Sequence, residues 1–208
     1  MKKLTYIFLL FLIGCQGSKS EKEIEKKPNS VITSEEDIYT DDNFKDVKKT
    51  FSFEGQNFET SKRTIKIGEI FFTAIILPNE YYIRKNLKIK NKDSIKSYIK
   101  RFENEKIIQF DFQHEERKDL LLQEFTGVNY KKSVEYMSNL IHHDFYAITS
   151  EGDSIKSSGV LFERNFNLAP RKRLLLYFNT EKNADKLKLV YDDRIFKKGI
   201  IKFNLQKE

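Results

Sequence analysis

The sequence predicts a mainly β protein, an antiparallel sandwich carrying one or two helical insertions. Three observations predict it. Apolar and polar residues alternate along several runs, the period of a strand with one buried face. "IIQFDFQ" (107–113), for example, sets Ile108, Phe110 and Phe112 against Gln109, Asp111 and Gln113. The runs recur at short spacing with turn residues between them, as in all-β sandwiches. One run, "RLLLYFN" (173–179), is almost continuously apolar, as a central strand would be.

Taken in order, "TIKIGEIFFTAIILP" (64–78) places Ile65 and Ile67 on one face. After Gly68 the register shifts to Ile70, Phe72, Ala74 and Ile76, which predicts a bulge or bend at the glycine. Pro78 ends the run. Asp93 is placed to cap a helix over "SIKSYIKRF", with Ile95, Tyr98, Ile99 and Phe102 on one side. "KDLLLQEF" (118–125) reads as the hairpin or sheet neighbour of 107–113. Asn129 is placed to cap a second helix, "YKKSVEYMSNLIHH", with Val134, Met137, Leu140 and Ile141 on one side.

The C-terminal third is denser. "SGVLFERNF" (158–166) puts Val160 and Phe162 on one face. "KLKLVYDD" (186–193) aligns Leu187, Leu189 and Tyr191, and "GIIKFNL" (199–205) aligns Ile201, Phe203 and Leu205. Turns fall at Glu151-Gly152-Asp153, Ala169-Pro170-Arg171, Asn183-Ala184-Asp185 and Lys198-Gly199. Residues 51–208 suffice for one domain with its own core. The segment Tyr130–Leu205, with its helix, "DFYAITSEGDSI" and the strands above, is loosely similar to immunoglobulin-like sandwich domains of uncharacterised bacterial lipoproteins. The cysteine pair and core tryptophan of immunoglobulins are absent.

Residues before 51 are of another kind. Met1-Lys2-Lys3 is basic, and Leu4–Ile13 is a mostly apolar run too short for a spanning helix, which needs about 20 residues. Together they read as a secretory signal. Leu12-Ile13-Gly14-Cys15 resembles the lipobox of bacterial lipoproteins. That resemblance implies cleavage after Gly14 and lipidation of Cys15, the only cysteine in the chain. Two or three acyl chains on one residue give lasting membrane attachment, where one gives only marginal binding. Residues 15–50 then read as the lipidated cysteine and a flexible tether, too charged and polar to fold alone, with a mean span of roughly 30–35 Å. The expected location is the bacterial cell envelope, lipid-anchored. Gln16, in place of an aspartate, favours the outer over the inner membrane.

Charge divides along the chain. Residues 16–50 hold 7 Lys against 9 Asp and Glu, while 51–208 hold 29 Lys and Arg against 22 Asp and Glu. A basic domain on a slightly acidic tether favours an anionic polymer or an envelope protein as partner. Location argues against nucleic acid.

Motifs for catalysis are scarce. No GxSxG, Walker loop or GxGxxG occurs, and no cofactor is implied. His142-His143 lacks the i, i+4 spacing of helical metal sites and reads as a helix C-terminus. Asp192-Asp193 reads as a strand-end turn, solvated or paired to Arg194. Arg171-Lys172-Arg173, placed in a turn before a strand, is a candidate contact for phosphates or acidic glycans. Tyr81 and Tyr82, near a loop, are candidates for a sugar- or peptide-binding platform, as is Tyr130. The resulting expectation is a non-enzymatic interaction module anchored in the envelope. A hydrolase of envelope polymers with dispersed carboxylates, or a carrier of a small ligand or lipid, would instead require a deep cleft or a large apolar cavity.

Overall fold

Two sheets stack through a shared apolar layer. The computed structural model of the protein describes residues 38–40, 47–164, 169–180 and 186–206, all within the unit Glu35–Glu208. Among these, strands β1 (Ile38–Thr40), β2 (Val47–Phe53), β3 (Gln56–Ile67), β4 (Ile70–Leu77), β5 (Glu105–His114) and β6 (Phe145–Thr149) come first. They are followed by β7 (Ser154–Lys156), β8 (Gly159–Glu163), β9 (Arg171–Asn179), β10 (Lys186–Asp193) and β11 (Gly199–Gln206). The smaller sheet runs β1-β11-β10-β6-β7 and the larger β2-β3-β4-β5-β9-β8. Pairing is antiparallel throughout, apart from β1 beside β11. The mainly β sandwich expected from alternation is the fold found.

The strand residues predicted to face inward do so, whereas Ile99 and Leu140 of the predicted apolar helix faces are exposed. Ile65, Phe72, Phe110 and Leu176 of the larger sheet meet Phe145, Leu189, Tyr191 and Phe203 of the smaller. Phe110 sits 5.4 Å edge-on from Phe203, and Tyr191 stacks on Phe145 at 4.3 Å. Each fully buried side chain of this size contributes about 1.5–3 kcal/mol.

Among the described residues, the outer face of the larger sheet is covered at one end. Helices α1 (Asn79–Lys85) and α2 (Lys92–Arg101) lie there. Tyr81, Tyr82, Leu77, Ile107 and Leu175 form a second cluster under them, flanked by Phe53, Leu87 and Phe102. Helix α1 was not expected: at seven residues it is too short to show a helical period. Pro78 ends the preceding strand as predicted and directly precedes the helix. The cap of α2 is Asn91, whose Oδ1 accepts from the backbone N–H of Asp93 and Ser94; Asp93 sits in the first turn instead.

Four further expectations are corrected. Residues 64–78 are two strands, not one bulged strand: Ile67 pairs with Ile70 around a turn in which Gly68 takes φ +57°. Residues 118–125 form no strand. Asp119 Oδ1 takes the Leu121 N–H at 3.0 Å, turning the chain, and Gln123–Thr126 coils into one helical turn, α3, closed by Gly127 at φ +71°. Leu120 and Leu121 are buried in the core, and β5 has β4 and β9 as neighbours. The helix after Asn129 is broken into α4 (Tyr130–Glu135), a π-helical turn (Tyr136–Leu140) and a 3-10 turn (Ile141–Asp144). The sheets also begin before residue 51: Ile38–Thr40 joins from the stretch read as tether, and β2 (Val47–Phe53) crosses a boundary that the sequence left open between residues 44 and 60. β2 and β3 join through Glu54-Gly55, both at positive φ, the two-residue hairpin that suits strand twist. The lipobox, Cys15, residues 16–37 and 41–46, and the turn Asn183-Ala184-Asp185 lie outside the described residues.

Candidate functional site

Where the helices stop, the outer face of the larger sheet is polar and open. Strand register builds it in three rows. Lys62, Ile75 and Gln109 form the first, running to Leu175. Thr64, Thr73, Asp111 and Arg173 form the second. Lys66, Phe71, Gln113 and Arg171 form the third. Because strand side chains alternate, every one of these residues lies opposite a core residue.

Lys49 and Phe51 of β2 close one side, and Tyr81 and Lys85 of α1 close one end. The result is an open trough of about 290 Å³. Five basic side chains line it, Lys49, Lys62, Lys85, Arg171 and Arg173, around a single carboxylate, Asp111.

That carboxylate is fully engaged. Arg173 Nε donates to Oδ1 at 2.7 Å and Nη2 to Oδ2 at 2.9 Å. Gln109 Nε2 adds a third bond at 2.9 Å, and Arg171 Nε lies 3.9 Å away. Arg173 also reaches Glu163 at 3.6 Å. These carboxylates hold the Arg173 guanidinium more firmly cationic, against the opposing effect of its burial. Asp111 is therefore a hub that fixes the Arg173 guanidinium, with both of its oxygens engaged.

The lysines are held differently. Lys85 Nζ donates to the Tyr81 hydroxyl at 2.6 Å, and Lys49 Nζ lies 5.5 Å from the centre of the Phe51 ring. Phe51 and Tyr81 are neighbours, their rings 4.5 Å apart. Lys49, Lys62 and Lys85 have no carboxylate in ion-pair reach among the described residues.

The residues singled out from sequence fall in several places. Arg171 and Arg173 line the trough, but from the start of β9 and not from a turn; the turn is Ala169-Pro170. Lys172, between them, points to the opposite face, is buried, and pairs with Asp119 at 2.9 Å. Tyr81 lines the trough while 5% exposed. Tyr82 is buried beneath α1, its hydroxyl 3.1 Å from that of Tyr177. The two tyrosines are thus helical packing residues and not a loop platform. Tyr130 is exposed and donates to Asp119 Oδ2 at 3.3 Å. Sequence reasoning missed Lys49, Lys62 and Lys85. The alternation through Thr73, Gln109, Asp111 and Gln113 marked a shared polar face, but not which strands stood beside it.

A second polar cluster lies where the 3-10 turn meets β10. Asp144 is 3% exposed, accepts from the Tyr136 hydroxyl and lies 3.6 Å from Arg194 Nε. Burial outweighs both partners and pushes its carboxyl up to about 6. Asp192 pairs with Arg194 at 2.9 Å. Asp193 turns inward and accepts from the N–H groups of Phe196 and Lys198 and from the Tyr191 hydroxyl. This inward carboxylate is raised as well, again by burial. His142 and His143 sit with ring centres 3.9 Å apart. Burial first, and then His143, lowers the His142 pKa. Among the described residues no group of three or more His, Cys, Asp or Glu is placed to hold a metal. None of the described helices is long and apolar enough to cross a membrane.

No family model matches the chain, and no curated protein does. Among solved structures, it is similar to a protein of unknown function from Burkholderia pseudomallei. The two share 10% identity over 70% of this chain and 78% of that one, with a TM-score of 0.33.

Proposed function

We propose that the protein is a lipid-anchored binding module of the bacterial cell envelope. Cys15 carries the anchor, and the trough on the outer face of the larger sheet receives an anionic envelope component without transforming it. One observation carries this reading: five basic side chains converge on an open floor whose single carboxylate already accepts three hydrogen bonds from Arg173 and Gln109. A surface of one sign attracts and orients anions, with an affinity that weakens as salt rises. Among the described residues, the lining offers neither a second carboxylate to work with Asp111 nor a free base, which favours binding over acid–base hydrolysis.

The test is co-purification. The lipidated protein is extracted in mild detergent after brief crosslinking and compared with Cys15→Ala and with the triple variant Lys49→Gln/Lys62→Gln/Lys85→Gln. An anionic polymer or acidic protein enriched with the parent and lost in the triple variant supports the trough, while Cys15→Ala, which keeps the trough, reports on the anchor alone. Enrichment that persists in the triple variant assigns the partner to another surface.

A further inference from the structure

We infer that the trough is built for phosphoryl groups in preference to carboxylates. This rests on the anion-binding reading above and names the ligand chemistry of that same site. Planar carboxylates are best matched by the two-pronged guanidinium fork. In the trough the Arg173 fork is already filled side-on by a carboxylate of the protein itself, Asp111, through bonds of 2.7 and 2.9 Å. Its remaining edge faces Glu163 at 3.6 Å.

The donors left for a ligand are mostly ammonium groups, and they come from different elements. Lys49 stands on β2, Lys62 on β3 and Lys85 on α1, around the same opening. An ammonium is a compact point charge with donors that rotate. Several of them around one opening suit a tetrahedral group whose oxygens point in several directions, and suit a flat carboxylate less well. The exposed guanidinium of Arg171 stands on the far side of the floor. Gln113 and Thr73 add neutral hydrogen-bonding groups beneath.

The apolar lining fits the rest of such a ligand. Phe51, backed by the buried Tyr81 at 4.5 Å and flanked by the two end lysines, is the partly exposed ring that meets the C–H face of a glycerol or sugar unit. The ligand class is therefore a phosphate ester on a small polyol, in a lipid headgroup or a soluble or polymeric form.

The experiment is a titration of the full chain, followed by amide chemical shifts of β4, β5 and α1. The probes are glycerol 3-phosphate and succinate, both dianions at pH 7.5, at fixed ionic strength. Glycerol 3-phosphate is expected to bind at least tenfold more tightly than succinate. The variant Lys62→Gln/Lys85→Gln should lose at least tenfold of that affinity while unfolding at the parent temperature. Parallel sedimentation of the Cys15→Ala chain with phosphatidylglycerol vesicles separates the sources: binding to vesicles and not to glycerol 3-phosphate places the phosphate ester in a headgroup, and the converse places it in soluble or polymeric form. Equal affinity for succinate overturns the phosphoryl preference and leaves the anion-binding reading standing. Absence of binding to every probe, or binding unchanged in the variant, overturns both.

Discussion

Asp111 and Arg173 face each other across neighbouring strands β5 and β9 and join side-on, Nε to Oδ1 at 2.7 Å and Nη2 to Oδ2 at 2.9 Å. The pair lies on the outer face of the larger sheet, yet Asp111 is 9% exposed. A bidentate, half-sheltered pair of this kind contributes more than an exposed ion pair, and removing one member leaves the other uncompensated. Asp111→Ala should therefore destabilise the fold by about 1–3 kcal/mol. Arg171→Ala, at a more exposed position 3.9 Å from the same carboxylate, should cost no more than about 0.5 kcal/mol. Urea unfolding of both variants checks the order; a larger loss at Arg171 would contradict it.

Tyr82 tests the packing assignment of the α1 tyrosines. Its hydroxyl meets that of Tyr177 at 3.1 Å, and its ring packs edge-on to Phe102 at 6.0 Å. Tyr82→Phe should lose about 1 kcal/mol and Tyr82→Ala about 3–5 kcal/mol, while Tyr82→Phe keeps the parent's affinity for anions. A Tyr82→Ala variant as stable as the parent would return the residue to the exposed surface.

The core makes the larger demand. Phe110 is fully buried between the sheets, touching Phe112, Phe145, Tyr191 and Phe203. Phe110→Ala should cost about 3–5 kcal/mol, whereas Lys62→Gln, in the adjacent row on the opposite face of the same sheet, should stay within about 0.5 kcal/mol. Thermal unfolding of the pair separates fold residues from trough residues.

Asp144 gives the stability a pH dependence of known sign. Its carboxyl is raised from 3.8 to about 6 by burial, against the Tyr136 hydroxyl and Arg194. An acid whose folded pKa exceeds its unfolded one holds its proton more tightly when folded. Its contribution is thus fully present below pH 3.8 and is lost as pH rises through about 6. Asp144→Asn keeps an acceptor for Tyr136 and removes the charge. It should flatten stability between those limits, leaving the slope of the same sign from Asp193, and be more stable than the parent at pH 7.5 by about 1–2 kcal/mol. Unfolding curves at pH 4.5 and 7.5 decide it; a variant less stable at pH 7.5 would show that the Arg194 attraction outweighs burial.

Strand alternation carried the sandwich because Ile108, Phe110 and Phe112 have a strict period of two, and each proved inward. It failed at 118–125, where three consecutive leucines carry no period and Asp119 turns the chain. It failed again at α1, where Pro78 was visible but seven residues were too few to show a helix. The trough was half visible. Gln109, Asp111 and Gln113 declared a polar face, and Arg171 and Arg173 a basic one, but their meeting depends on β5 pairing with β9, some 60 residues apart in sequence by the separation of Asp111 and Arg173. Lys49, Lys62 and Lys85 sit in a lysine-rich chain with nothing local to distinguish them; only register and the placement of α1 bring them together.

The most direct test of the central claim is the binding of the full chain to isolated cell envelopes across a salt titration, with Lys49→Gln/Lys62→Gln/Lys85→Gln alongside. Both are compared with the Cys15→Ala form, so that anchoring and binding are read separately. The account predicts that Cys15→Ala protein still binds, increasingly weakly as salt rises. It predicts that the same protein with the three lysines replaced binds at least tenfold more weakly at low salt and is equally stable. Binding that ignores both salt and the three lysines would contradict it.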